Sequence, residues 1–256
     1  MRLLNPLMDQ ATATMSDALV IIPTYNEIEN ISKMIDTVMA LPDGFDLLVI
    51  DDGSPDGTAD AVREKMEIYP GRVHLQTRSG KLGLGTAYIH GFKWALARDY
   101  QYIIEMDADF SHNPNDLTHL YHTCKDEGAD VCVGSRYISG VNVVNWPMGR
   151  VLMSYFASAY VRMITRMTLR DSTAGFVCYR RKVLETINLD KIEFKGYAFQ
   201  IEMKFKATKL GFKVVEYPII FVNRQLGTSK MSSGIFGEAV FGVMKLRLRA
   251  LTRSLN

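Results

Sequence analysis

Short apolar runs alternate with amphipathic stretches through the first half of the chain. Ala18 to Ile22 is wholly apolar and is closed by Pro23, Thr24, Tyr25, Asn26 and Glu27, the pattern of a buried parallel strand that ends at solvent. Apolar residues then recur at Ile28, Ile31, Ile35, Val38 and Met39, which predicts a helix with one buried face. Asn26 stands where a helix N-cap would, with Glu29 three residues on as in a capping box, and Leu41-Pro42-Asp43-Gly44 ends the helix. The unit repeats. Leu47 to Ile50 runs into Asp51-Asp52-Gly53-Ser54-Pro55-Asp56-Gly57, and Thr58 can cap a helix to about Tyr69. Arg72 to Gln76 is a third strand, followed by glycines at 80, 83 and 85 and a helix to about Arg98. Tyr102 to Met106, a helix near 114–127 and Val131 to Gly134 complete the series.

Strand and helix alternating at this spacing predict an α/β fold, with a mostly parallel sheet and helices on both faces. In such sheets ligands bind beyond the carboxyl ends of the strands. Pro23 to Glu27, Asp51 to Asp56, Asp107 to Ser111 and Ser135-Arg136 all fall there, so four polar clusters share one edge. From Val141 the pattern changes. Asn145-Trp146-Pro147 leads into a long amphipathic stretch, Met148 to Leu169, interrupted by Arg150, Arg162 and Arg166. Asp171 to Phe176 reads as a loop, Val177 to Tyr179 as a strand, 196–210 as a helix and Lys213 to Val222 as a strand, before a basic loop from Asn223 to Lys230. The pattern divides the chain into a lead-in over 1–17, one α/β domain over 18–230 and a basic amphipathic segment over 231–256.

Composition narrows the class. With 256 residues, 47% hydrophobic, 23% charged and a net charge of +2, the chain can bury a full core and lacks the basic excess of a general nucleic-acid binder. Cys124, Cys132 and Cys178 form no CxxC pair and no His/Cys cluster, which points to a reducing compartment without structural zinc. The first 17 residues make no signal peptide, and no window offers about 18 uninterrupted apolar residues.

The chemistry converges on Asp107 and Asp109, at the end of the Tyr102–Met106 run. Carboxylates at i and i+2 of an extended chain point to one side and repel unless a cation lies between them. Mg²⁺ suits that arrangement, held by one or two carboxylates and substrate phosphates. A solvated turn after a strand is the competing reading. Two nucleotide motifs are absent: Tyr88 stands where GxGxxG needs its third glycine, and Leu75 where a Walker A loop needs its first.

With these clusters assembled, the chain resembles the polyprenol-phosphate (dolichol-phosphate) mannose synthases, inverting family 2 glycosyltransferases of GT-A fold. The resemblance rests on Pro23 to Glu27, Asp51 to Thr58, Gly83-Leu84-Gly85, Asp107-Ala108-Asp109, Gly134 to Tyr137, Asn145 to Pro147, Gly175-Phe176, and Arg224 through Gly227 to Ser229-Lys230. It implies that Pro23, Tyr25, Glu27 and Asp52 hold the guanosine end of GDP-mannose, with Ile50 contributing a backbone contact. Asp107, Ala108 and Asp109 would meet its diphosphate through Mg²⁺ or Mn²⁺. Arg224 and Lys230 would close over the donor phosphates, and Arg136 and Arg150 would receive the phosphate of a polyprenyl or dolichyl acceptor in a membrane. Ser111 stands where some relatives have a metal-coordinating Gln, and it would join the metal through water. Some relatives carry a transmembrane domain with no counterpart here, so a membrane-anchoring partner protein or peripheral attachment at the cytoplasmic face is expected instead.

Several positions keep two readings. Tyr25 stacks under a base or packs on the first helix, and Asp51 and Asp56 suit turns better than ligands. His112 suits a turn better than a catalytic base. Gln200 and Glu202 fit a satisfied core network. Phe236, Ala239, Val240, Val243, Leu246 and Ala250 form one stripe beside Lys245, Arg247, Arg249 and Arg253, which suits a membrane-surface helix or one docked on the core, while the alternation from Lys245 to Arg249 also suits a strand. The rival functions are a UDP-glucose-dependent polyprenyl-phosphate glucosyltransferase and a catalytically silent nucleotide-sugar or lipid-phosphate binding subunit.

Overall fold

The computed structural model describes residues 16–196, 198–224 and 235–252, the side chains of the last stretch from 242 to 250. Lys230 and the rest of the basic loop past Arg224, Arg253, and the lead-in up to residue 15 lie outside the described residues. The alternating half of the chain forms β1 (Ala18–Thr24), α1 (Ile28–Met39), β2 (Asp46–Asp51), α2 (Thr58–Ile68), β3 (Val73–Thr77), α3 (Leu84–Leu96), β4 (Tyr102–Glu105), α4 (Asp116–Lys125) and β5 (Val131–Ser135). Then follow β6 (Val143–Val144), α5 (Met148–Thr165), β7 (Val177–Arg180), α6 (Arg181–Thr186), a 3₁₀ turn (Leu189–Lys191), α7 (Ala198–Lys209), β8 (Val214–Pro218), β9 (Phe221–Val222) and α8 (Ile235–Thr252).

One seven-stranded sheet runs β3-β2-β1-β4-β7-β5-β8, parallel except for β7, which is antiparallel to both neighbours. Alternation along each strand splits the core in two. Leu19, Ile21 and Ile103 face α3 and α7, while Val20, Ile22 and Ile104 face α1 and α4. Lys213 to Val222 is not one strand: it divides after Pro218, and β9 pairs with β6 in a separate ribbon. The successive crossovers from β1 build outward to β2 and β3, whereas β4 lies on the other side of β1. The switch point therefore falls between β1 and β4, where a crevice opens at their carboxyl ends. Because β7 is reversed, its beginning reaches that same edge, and the loop entering it, 171–176, joins the crevice.

Two local expectations are corrected. Asn26 is not the cap of α1. It adopts φ 54°, the helix starts from Glu27, and neither Asn26 nor Glu29 makes the reciprocal capping bonds. The first N–H groups go instead to the neighbouring loop: Ile28 donates to the Asp56 carboxylate at 3.1 Å and Glu27 to Thr58 Oγ1 at 3.0 Å. Thr58 is likewise inside α2 rather than before it, and Asp56 Oδ1 accepts its N–H at 3.0 Å. Two strand-end loops thus brace one another. Gly85, at the start of α3, could carry no side chain, since a Cβ there would come within 2.8 Å of Phe199 on α7.

Candidate active site

A cavity of about 820 Å³ occupies the crevice, and Pro23, Tyr25, Glu27, Asp52, Asp107, Ala108, Asp109, Ser111, Arg136, Arg150 and Arg224 all line it. Ile50 does not. It is fully buried in β2, between β1 and β3. On the β1–β2 side the carboxylates are held by their own turns. Asp51 accepts from Thr24 Oγ1 at 2.9 Å and from the Ser54 N–H at 2.9 Å, so it is a buried turn acid. Glu27 takes the Asn30 side-chain amide at 3.1 Å. Asp52 accepts Arg78 Nε at 2.6 Å, yet burial still raises its carboxyl above the ordinary range. Lys81 stands 5.7 Å from the Tyr25 ring centre, above its face.

At the end of β4, Asp109 Oδ1 accepts the Ser111 N–H at 3.0 Å and its other oxygen pairs with Arg224 at 2.7 Å. Burial, and then the charge of Asp109, push the Asp107 carboxyl up to about 7. A cation beside the two carboxylates would offset both the burial and their mutual repulsion. Oxygen donors and an adjoining cavity fit a hard divalent cation that takes its remaining ligands from phosphate. Among the described residues no three His, Cys, Asp or Glu side chains form a ready metal cage.

On the opposite wall the chemistry is cationic and aromatic. Arg136 forms a bidentate pair with Asp171, Nε to Oδ2 and Nη2 to Oδ1, both at 2.7 Å, and Nη2 also donates to Thr173 at 2.9 Å. The Arg136 N–H closes on the same carboxylate at 3.0 Å. Burial works to raise the Asp171 carboxyl, and the Arg136 charge and hydrogen bonds more than offset it, leaving it below the ordinary range. Trp146 is a shared platform: the Arg150 guanidinium lies 3.9 Å and that of Arg136 5.6 Å from its ring centre. Arg150 Nη1 also donates to Asn223 at 3.0 Å. This gives Asn145-Trp146-Pro147 a physical reason. Asn145 turns the chain with φ 60°, Trp146 carries both arginines, and Pro147 sets the start of α5. Met153, Phe156, Ala157 and Tyr160 of α5 add an apolar wall.

His112 lies in a bend just before α4. It is buried, stacked on Phe176 at 4.9 Å and met edge-on by Phe221 at 5.2 Å. Burial pushes its imidazole down to about 4, so it is neutral near pH 7. Beneath the floor, Gln200 donates to Glu105 at 2.8 Å and accepts from Lys204 Nζ at 3.1 Å, while Lys204 also holds the Ala174 carbonyl at 2.6 Å. Burial pushes Glu105 up to about 8 and Lys204 down to about 8, each charge being the other's main counterweight. Glu202 stands apart, accepting the N–H groups of Glu193 and Phe194 at 2.9 and 3.1 Å.

Sequence reasoning missed Asp171 and Thr173, which hold Arg136 from 35 and 37 positions away, and Arg78, which holds Asp52. No local period links such distant partners. A lone Asp in the short polar loop that enters β7 was the one available signal.

The profile described as Glycosyl transferase family 2 matches residues 19–187. The chain is 46% identical over 231 residues to the polyprenol monophosphomannose synthase of Mycolicibacterium smegmatis, covering 90% of this chain and 87% of that one. It is 47% identical over 232 residues to the undecaprenyl-phosphate mannosyltransferase of Micrococcus luteus, covering 91% and 94%. Among solved structures, glucosyl-3-phosphoglycerate synthase from Mycobacterium tuberculosis, in complex with Mn²⁺, UDP and glucosyl-3-phosphoglycerate, superposes with a TM-score of 0.64. That match has 19% identity and covers 93% of this chain and 80% of that one. At such identity it speaks for the fold, an α/β domain of the GT-A kind.

Proposed function

Since the chain belongs to glycosyl transferase family 2, we propose that it moves mannose from GDP-mannose to a polyprenyl monophosphate. The relatives that are named mannosyltransferases support the sugar and the lipid acceptor. The observation that carries the reading is the division of one cavity between a carboxylate pair and two Trp146-mounted arginines, with an apolar helix beside the latter. A nucleotide diphosphate suits the first wall. A lipid phosphate suits the second.

On the donor side Pro23, Tyr25, Glu27 and Asp52 receive the guanosine, and Arg224, with Lys230 from outside the described residues, is assigned to the diphosphate. Asp107 and Asp109, with Ser111 through water, would hold Mg²⁺ or Mn²⁺, which when bound offsets charge on the departing diphosphate. On the acceptor side Arg136 and Arg150 seat the lipid phosphate through fixed donors. A phosphate monoester has its second pKa at about 6 and is already a nucleophile near neutral pH, so no side chain needs to take a proton from it. His112, pushed down to about 4 and walled by Phe176 and Phe221, is a poor base and is assigned none of that work. The phosphate oxygen attacks the anomeric carbon as the bond to the diphosphate breaks, giving a β-linked product in one displacement.

Among the described residues no helix is long and apolar enough to cross a membrane. The proposal includes attachment at the surface of the cytoplasmic leaflet, alone or with an anchoring partner protein. The test is turnover by purified protein with Mg²⁺ and a short-chain polyprenyl phosphate, offered GDP-mannose and UDP-glucose separately. Mannosyl lipid from GDP-mannose is expected. Glucosyl lipid alone would assign the other sugar, and no product from either donor would leave a binding subunit.

A further inference from the structure

A second cavity, of about 370 Å³, is lined by Tyr137, Tyr155, Arg162, Thr168 and Arg170. None of these residues is used by the transfer reaction. Arg162, in the last turn of α5, donates to the Arg170 carbonyl at 3.1 Å and so ties the helix end to the following loop. Among the described residues neither guanidinium meets a carboxylate. Glu216, at the foot of that loop, already accepts the N–H groups of Arg170 and Asp171, at 2.7 and 2.8 Å. Tyr137 is only 2% exposed, and its hydroxyl has no hydrogen-bond partner; Ser154 approaches it without reaching bonding geometry. A buried hydroxyl without a partner costs free energy unless something accepts from it. Two guanidinium groups and a hydroxyl donor around one cavity make a phosphate-shaped demand.

The surface beside the cavity says which phosphate. Met148, Leu152, Tyr155, Phe156 and Met163 are spaced to form one stripe of α5, and all are exposed, Met163 and Met148 by 70% and Phe156 by 62%. Arg162 flanks that stripe, and Tyr155 belongs to both it and the cavity. Free phosphate has no use for an apolar border, whereas a phospholipid needs a cationic seat for its head and an apolar surface for its chains. We propose that the cavity between Arg162, Arg170 and Tyr137 binds the phosphate of an anionic phospholipid whose acyl chains lie along the exposed stripe of α5. The site is separate from the acceptor seat at Arg136, and its binding is measured without turnover, so it stands or falls independently of the transferase reading.

The experiment is sedimentation of the full chain with phosphatidylcholine vesicles, with and without phosphatidylglycerol. Wild type should partition onto the anionic vesicles. Arg162→Gln with Arg170→Gln should weaken this about thirtyfold, from two lost charges at the surface. Arg162→Lys with Arg170→Lys keeps the charge and loses the bidentate fork, and should weaken it about fivefold. Tyr137→Phe removes a buried hydroxyl without a hydrogen-bond partner, so the thermal stability of the lipid-free protein should not fall, while partition should still weaken about threefold. The lysine pair and Tyr137→Phe keep size and charge, so they remain readable if the glutamine pair fails to fold. Equal partition of the lysine pair and Tyr137→Phe with wild type would mean diffuse charge attraction, and overturns the site. So would equal binding to phosphatidylcholine alone, or saturable binding of inorganic phosphate with vesicle partition unaffected by the arginine variants.

Discussion

The two walls of the central cavity are built on different principles. The carboxylate wall stands on strand ends and is held in part by residues close in sequence, Glu27 by Asn30 and Asp109 by Ser111, although Asp52 takes Arg78 and Asp109 also meets Arg224. The arginine wall takes its order from far away, since Arg136 depends on Asp171 and Arg150 on Asn223, 73 positions on. A wall made of turns keeps its shape when one charge is removed. A wall that hangs on one buried long-range ion pair does not. Substitutions on the first should therefore alter chemistry with little change in stability, and substitutions on the second should alter both.

Asp109→Ala is the largest expected effect and tests the first half of that contrast. It should lower kcat about a thousandfold, the scale seen when a group stabilising transition-state charge is lost. The urea midpoint should stay close to wild type, because removing Asp109 also frees Arg224, which is a quarter exposed and can turn to solvent. Activity of wild type should also vanish in excess EDTA and return with Mg²⁺ or Mn²⁺. Full turnover in EDTA, or by the variant, would remove Asp109 from its assigned role.

Asp171→Asn tests the second half. It leaves the Arg136 guanidinium buried without its counter-charge, which costs about 3–5 kcal/mol. The loss should appear as a lower denaturant midpoint together with a weaker acceptor KM. The pH dependence has a definite sign. The Asp171 carboxyl is held below its ordinary value, so its contribution is complete above the unfolded value, about 3.9, and disappears as pH falls through the lower folded value. The stability gap between wild type and Asp171→Asn should therefore narrow in acid. A gap that persists unchanged below both values would mean the pair is not its source.

The same contrast explains what the sequence made legible. The strands, their order of appearance and the edge that gathers the polar clusters followed from apolar runs of regular length, because parallel strands buried on both faces tolerate little else. Asp107, Asp109, Arg136 and Arg150, which all line the cavity, stood out because each lies in a short dense motif at an element boundary. Asp171, Thr173 and Arg78 were not, because a partner 26 to 37 residues away leaves no mark on local pattern. The cap of α1 was misread for the same reason: Asp56 and Thr58 reach it from the next loop. The C-terminal stripe had three readings; it is a helix, α8, and packing favours the docked one. Val243 and Leu246 are buried in the core, while Lys245 and Arg249 pair with Glu193. Met244 and Leu248 remain exposed, so membrane contact by α8 would fall to those two among its described side chains.

Arg136→Lys sharpens the comparison at a smaller scale. The charge stays, so the fold should lose less than in Asp171→Asn. The lysine cannot reproduce the two parallel 2.7 Å bonds to Asp171 and also reach Thr173. Acceptor KM should rise about tenfold, or kcat fall to match, with the GDP-mannose KM little changed. An equal rise in both KM values would mean that Arg136 serves the donor as well.

Trp146→Leu carries the smallest effect and asks whether the arginine wall acts as a unit. The ring underlies both guanidinium groups, and its Nε1 is buried without a hydrogen-bond partner, so a leucine gives up stacking while relieving an unpaired donor. A cation–π contact contributes about 0.5–2 kcal/mol depending on how far it is desolvated. The Arg150 contact, at 3.9 Å, should dominate over that of Arg136 at 5.6 Å, since Asp171 already fixes the latter. Acceptor KM should thus rise about threefold to tenfold, with the stability change small because the two consequences oppose each other. Combining Trp146→Leu with Arg150→Gln should cost less than the sum of the singles, while combining it with Arg136→Lys should be closer to additive. Additivity in both pairs would mean that Trp146 merely fills space, and that the two arginines are positioned by Asp171 and Asn223 alone.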